Sequence, residues 1–207
     1  MAATQPPVRP LLRRRYDERQ AEVVSIAARL FARRGYQATS ITELSEATGL
    51  AAGGLYHYIG NKDSLLGLIC DELLEPLIAR AGEIVEEDGS AASHLRKVLR
   101  IWLEHIETHQ DHMLVFVQER QVMEQEPQWR RVRAQRKAFE EILERLLARG
   151  EEEGVFRFDD RGLALLALLG MVNYTAQWLR PRGRLSATEI ADGYADLMLA
   201  AAGRSDE

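Results

Sequence analysis

Between Thr39 and Lys62 the sequence gathers side chains that hold anions rather than transform substrates. Thr39 and Ser40 bring hydroxyls, Tyr56 and His57 bring ring donors, and Lys62 brings a positive charge. Such groups contact phosphate oxygens. Lys62 falls at the expected start of a helix, where free backbone N–H groups already favour an anion. Between these donors lie four small residues, Ala51, Ala52, Gly53 and Gly54. Glycine in a helix costs about 1 kcal/mol relative to alanine. In exchange, the bare backbone can approach phosphates or base edges closely.

Those residues need two short helices and a tight turn. Thr39 or Ser40 caps the first, with Glu43 three residues after Ser40 as in a capping box. Gly49 ends it, at a position where left-handed backbone is cheap only for glycine. The second runs from about Ala51 to Tyr58, with Leu55 facing inward and Ala51, Ala52, Gly54 and His57 able to face out. Gly60-Asn61 breaks it, and Lys62 leads the next helix. Together they read as a helix-turn-helix that sits on DNA.

The segment is similar to the DNA-binding domain of the TetR family of bacterial transcriptional repressors. The resemblance runs through Phe31, Gly35, Thr39, Ser40, Ile41, Leu44, Ala47, Gly49, Leu50, Leu55, Tyr56, Tyr58, Lys62 and Leu65-Leu66. It implies a homodimer on a palindromic operator of double-stranded DNA, a variable C-terminal ligand domain, and release when a small-molecule effector binds. By position it implies phosphate contacts from Thr39 and Ser40, groove contacts from Ala51 through Gly54 and His57, and a backbone grip by Tyr56 and Lys62. Two residues depart from the pattern. Ile59 replaces the usual Phe, and Ala52 stands where a polar base-reading side chain is common. Specificity is therefore expected from thymine-methyl contacts, His57 and DNA shape.

The net charge of −5 conceals this site. Residues 1–62 hold nine basic and five acidic side chains, a net +4, which leaves −9 for the remainder. Phosphate affinity follows the local field, because salt screens beyond about 10 Å. A disordered basic arm over 1–15, a DNA-binding domain over 16–62 and a ligand-binding and dimerisation domain over 63–207 are the expected divisions. The single Cys70 excludes an internal disulfide. The first residues lack the apolar segment of a signal peptide, and no apolar run approaches a membrane span. A cytoplasmic protein without membrane contact is expected.

Beyond Lys62 the chain reads as helix throughout, giving an all-α fold of about nine helices. One helix is expected over 17–34 and another over 111–125. The run Leu163–Val172 is apolar all round and must be covered on every side. The eighth and ninth helices, about 160–180 and 186–202, are therefore expected to pair across a homodimer. Candidate pocket lining comprises Trp102, His105, Ile106, His109, Phe116, Val117, Met123, Met171, Tyr174 and Trp178. Most such residues at helical spacing are ordinary core.

The stretch from Asn173 to Tyr194 is similar to TetR-family regulators of fatty-acid, phenylacetate and sterol degradation. Their effectors are acyl-CoA thioesters. Arg180, Arg182 and Arg184 cluster in an otherwise acidic region. They suit the phosphates of coenzyme A, or equally the C-terminus of the preceding helix. His105 and His109 share a helix face, but no thiolate joins them, so no metal is expected. No nucleophile–base constellation, phosphate loop or resident cofactor is legible, so the chain is not expected to be an enzyme. A drug-efflux-type repressor and a CoA-ester binding protein remain the alternatives.

Overall fold

A computed structural model describes residues 7–180 and 182–201. Among them every regular element is helical. They are α1 (Pro10–Arg34), α2 (Ile41–Thr48), α3 (Ala52–Ile59), α4 (Lys62–Glu86), α5 (Ala91–Thr108), α6 (Gln110–Gln118), α7 (Arg120–Gln125), α8 (Arg130–Glu152), α9 (Arg161–Trp178) and α10 (Ala187–Ala201), with a 3-10 turn at Pro127–Trp129. The all-α expectation holds. The tenth helix arises because the segment expected as one helix over 111–125 divides at Glu119. No helix among the described residues is long and apolar enough to cross a membrane.

α1 begins seven residues before the expected Asp17. Pro10 sits in its first turn, where the missing N–H has no partner to lose. Pairs Arg13–Asp17 and Arg14–Glu18, four residues apart, support the extension. Residues 10–15 of the expected arm are thus helical, and residues 1–6 lie outside the described residues. The capping choices are local and follow the sequence. Ser40 and Glu43 form the capping box of α2, Asp160 caps α9, and Ser186 with Glu189 repeats the box before α10.

The chain forms two compact units that do not follow a boundary at residue 62. The first holds residues 1–72 and 111–132. In it α1 packs against α2 and α3, and burial of Val23, Val24, Ala27, Ala28, Phe31, Leu44 and Leu55 makes its core. The second holds residues 73–110 and 133–207. There α5 packs along α10, with Arg100 gripping both oxygens of Asp192 at 2.8 and 2.9 Å. Phe156 lies over Gly150 so closely that a Cβ on the glycine would fall 1.9 Å from its ring.

α9 is only partly covered within the single chain. Only Leu168, Val172, Thr175 and Ala176 are buried within the chain. Leu163 and Leu166 are 64% and 65% exposed, so the helix keeps an apolar face open to solvent.

Candidate nucleic-acid interface

The turn between α2 and α3 is set by Gly49, whose φ of 67° is left-handed. Leu50 N–H reaches back to Ser45 O at 3.2 Å and closes the turn. Ala51 then starts α3 with no side-chain cap. Ala51, Ala52, Gly53 and Gly54 are all exposed. A Cβ on Gly53 would meet nothing within 4 Å, and one on Gly54 only Leu50 Cδ2 at 3.9 Å. Neither glycine has a left-handed φ. Internal packing therefore gives no reason for glycine at either place. Helix propensity disfavours both.

The carboxyl ends of α2 and α3 are both held by α1. Arg19 Nη2 donates to Thr48 O at 2.9 Å. Tyr16 Oη donates to His57 O at 3.1 Å, and Gln20 Nε2 donates to Tyr58 O at 2.6 Å. Three carbonyls in the last turns of two helices, which lack an intrahelical donor, thus gain donors from one neighbouring helix. The Tyr16 ring also meets His57 edge-on and Tyr58 at a tilt, with centroid separations of 5.3 and 5.1 Å. Burial and the nearby Tyr58 and Asp17 push the Tyr16 phenol above its ordinary range.

A second set of contacts fixes the loop from α1 to α2. Glu119, at the corner between α6 and α7, accepts from Tyr36 N at 2.9 Å. Tyr36 Oη donates to Asp63. Burial and that carboxylate raise the Tyr36 phenol far above its usual value. Lys62 lies over the Tyr36 ring at 4.5 Å and donates to Gln37 O at 3.3 Å. Partial desolvation lowers the Lys62 ammonium pKa.

The site residues read from the sequence fall in three groups. Ser40, Ala51, Ala52, Gly53 and Gly54 are exposed, and Tyr56, His57 and Lys62 are half-buried. Thr39 departs from the phosphate role: it is 1% exposed, and its hydroxyl donates to Gly35 O at 2.9 Å. Ser40 took the cap, which turned Thr39 inward. The Ser40 hydroxyl is likewise engaged, accepting from Glu43 N at 3.2 Å and donating to Glu43 Oε2 at 3.0 Å. The Ser40 backbone N–H, donating to Glu43 Oε2 at 2.8 Å, then the Ser40 hydroxyl and nearby Arg34, hold the Glu43 carboxyl below the ordinary carboxylate range. Tyr16, Arg19, Gln20, Tyr36 and Glu119 carry the positioning and were not legible as site residues. Their partners stand 27 to 83 residues away, and no local pattern announces them.

The candidate pocket residues are divided. Phe116 and Met123 are buried in the first unit, with Met123 Sδ 3.5 Å from Cys70 Sγ. Val117 is half-buried there. In the second unit Trp102 and Ile106 are core, Trp102 meeting Phe139 edge-on at 4.7 Å. The His105 and His109 rings lie 4.2 Å apart at a tilt of 33°, and they bond Leu73 O and His105 O. Met171 is half-buried. Tyr174 and Trp178 are 65% and 42% exposed. Arg180 donates to Gln177 O and Leu179 O at 3.4 and 3.2 Å, which fits the helix-end role. Arg182, with φ 61°, and Arg184 are exposed. Pro181, just before Arg182, lies outside the described residues.

Two family profiles match the chain. "Bacterial regulatory proteins, tetR family" covers residues 23–69, and "Tetracyclin repressor-like, C-terminal domain" covers residues 88–202. The transcriptional repressor KstR2 of Mycobacterium tuberculosis is 27% identical over 184 residues, 88% of this chain and 92% of its own length. The structure of that ketosteroid regulator superposes with a TM-score of 0.83, covering 90% of this chain and 96% of KstR2 at 26% identity. PfmR of Thermus thermophilus is 34% identical, with a TM-score of 0.77 over 88% of this chain and 99% of its own. AibR, solved with isovaleryl coenzyme A and operator DNA, is 25% identical, with a TM-score of 0.75 over 87% of this chain and 98% of its own.

Proposed function

The chain belongs to the TetR family of bacterial regulatory proteins, and from that premise we propose that it is a homodimeric repressor released from a palindromic operator by an acyl-CoA thioester. Repression answering to a small ligand is the family's mode and fits relatives named as transcriptional repressors. The observation that carries the DNA reading is the exposed Ala51–Gly54 surface, where glycines with no internal purpose open α3 to close approach. Two such helices would enter successive major grooves about 34–36 Å apart. Tyr56, His57 and Lys62 would hold the flanking phosphates, with Lys62 set by Tyr36 and Gln37.

The dimer is assigned to α9 and α10. Leu163, Leu166 and Tyr174 on α9, and the 59% exposed Leu197 on α10, supply the apolar surface that a partner copy would cover. On this reading the exposed Tyr174 and Trp178 serve the interface rather than a pocket. Replacing Leu166 by Glu is expected to yield a monomer in sedimentation that no longer binds a palindrome. An unchanged dimer would redirect the interface elsewhere.

The effector class rests on two relatives, a ketosteroid regulator and a protein crystallised with isovaleryl coenzyme A. Arg182 and Arg184 are the remaining exposed guanidinium groups for coenzyme phosphates. Ligand binding would act through α4, which starts at Lys62 in the first unit and ends at Glu86 in the second. A 10- to 100-fold loss of operator affinity needs about 1.4–2.8 kcal/mol of coupling. Calorimetry with short- and medium-chain acyl-CoA thioesters and their free acids tests this. The thioesters should bind at least tenfold tighter and release the operator; equal affinity for acid and thioester would remove the coenzyme from the mechanism.

A further inference from the structure

The start of α1 carries charge that no protein group uses. Residues 8–15 are all exposed. They hold four arginines, Arg9, Arg13, Arg14 and Arg15, and no acidic residue. We propose, resting on the DNA reading above, that this segment is a further DNA contact, in which Arg9 and Arg15 hold backbone phosphates of the duplex flanking the half-site read by α3.

Position is the first support. Tyr16, Arg19 and Gln20 hold the carboxyl ends of α2 and α3. Arg9 and Leu12 precede Tyr16 by seven and four residues, and Arg15 precedes Arg19 by four. At helical spacing they continue the side of α1 that carries those contacts. From Pro10 to Tyr16 that side runs on for about 9 Å, at 1.5 Å per residue, with no buried residue before Tyr16. The Tyr16 hydroxyl bonds the carbonyl of His57, a residue assigned above to the phosphates. DNA held at His57 therefore lies beside this end of α1.

Charge is the second. Arg13 and Arg14 are paired with Asp17 and Glu18. Among the described residues no acid pairs with Arg9 or Arg15. Guanidinium groups suit phosphates through charge-assisted hydrogen bonds, and a duplex offers them in a row along its backbone. The exposed Val8 and Leu11 invite a lipid surface as the rival occupant. A helix lying in a membrane needs a broad apolar face, whereas here three apolar side chains stand among four arginines within two turns.

The test uses the full chain and a palindrome selected from a random pool by the wild-type protein. Duplexes end at the palindrome or carry about ten further base pairs on each side, and anisotropy reads their affinities across a salt series. The wild type should bind the long duplex about tenfold tighter than the short one. Arg9→Gln/Arg15→Gln should lose that gain and bind the short duplex as the wild type does, which also reports that the variant is folded. Should the double variant not fold, Arg15→Gln alone should lose part of the gain. Two phosphate contacts in each of two subunits make the slope of log K against log salt shallower by about 3–4 in the double variant, on the long duplex only. Equal wild-type affinity for both lengths, or a flank gain that the variants keep in full, would overturn the proposal. Sedimentation with vesicles of phosphatidylglycerol and phosphatidylcholine, abolished by the same substitutions while both duplex lengths bind alike, would assign the segment to lipid instead. A wild-type protein that selects no duplex at all would overturn the DNA reading, and this contact with it.

Discussion

Gly53→Ala separates folding from DNA recognition. Position 53 is the second residue of α3, and an added Cβ meets nothing within 4 Å. Its φ lies outside the left-handed region, so alanine introduces no strain. Replacing a helical glycine by alanine should then stabilise the protein by about 0.5–1 kcal/mol. In a chain of this size that raises Tm by about 1–4 °C. If the bare backbone sits against DNA, the same methyl group must intrude there. Overpacking a close contact costs about 1 kcal/mol or more. With two recognition helices per dimer the total is about 2 kcal/mol, or roughly 30-fold in Kd. Fluorescence anisotropy at fixed salt, on a duplex selected from a random pool by the wild-type protein, reads the affinity. Scanning calorimetry reads the stability. The slope of log K against log salt should not change, because no phosphate contact is removed. Gly82→Ala is the control: it lies in α4 with equally open surroundings, and should raise Tm without altering DNA binding. A Gly53→Ala protein that is more stable and binds DNA as the wild type does would refute close backbone approach.

Other perturbations test the supports. Gln20→Ala removes the donor to Tyr58 O; a loss of about 1 kcal/mol in stability and weaker operator binding are expected in denaturation and anisotropy. Glu119→Ala strips Tyr36 N of its acceptor, and should cost about 1–3 kcal/mol in urea unfolding, with amide exchange faster at residues 35–37. Gly150→Ala forces Phe156 aside and should destabilise by about 1–3 kcal/mol, lowering Tm while leaving DNA affinity per folded dimer intact. The Glu43 carboxyl has a folded pKa below its unfolded value, through hydrogen bonds from Ser40 and the charge of Arg34. Its stabilisation is therefore complete above the unfolded value and lost as pH falls through the folded one. Thermal unfolding should show Glu43→Gln less sensitive than the wild type below about pH 4.

What the sequence disclosed was local in origin. Ser40 with Glu43, Gly49, Asp160 and Ser186 with Glu189 each act within four residues, so their roles can be read from spacing. The start of α1 was hidden because three prolines resemble an unstructured arm, although Pro10 is compatible with a first turn. The break at Glu119 carries no glycine or proline within the turn; its carboxylate serves a loop 83 residues earlier. Thr39 was misplaced because either hydroxyl at 39–40 could cap α2, and the competition is decided by burial against Gly35. The pocket residues suffer from the same limit. Helical spacing says that Trp102 and Ile106 face inward, but does not separate core from cavity.

The bonds from α1 to the ends of α2 and α3 have a kinetic consequence. Thr48, His57 and Tyr58 carbonyls all depend on donors from one short stretch, Tyr16 to Gln20. Unwinding that stretch exposes the last turns of both short helices together. Amide hydrogens of α2 and α3 should then exchange with a common opening free energy, as one cooperative unit with the middle of α1. Each of these eight-residue helices is too short to persist alone in water. The recognition surface is thus presented whole or not at all, and a partly frayed repressor that grips DNA with α3 while α2 is open has no separate existence.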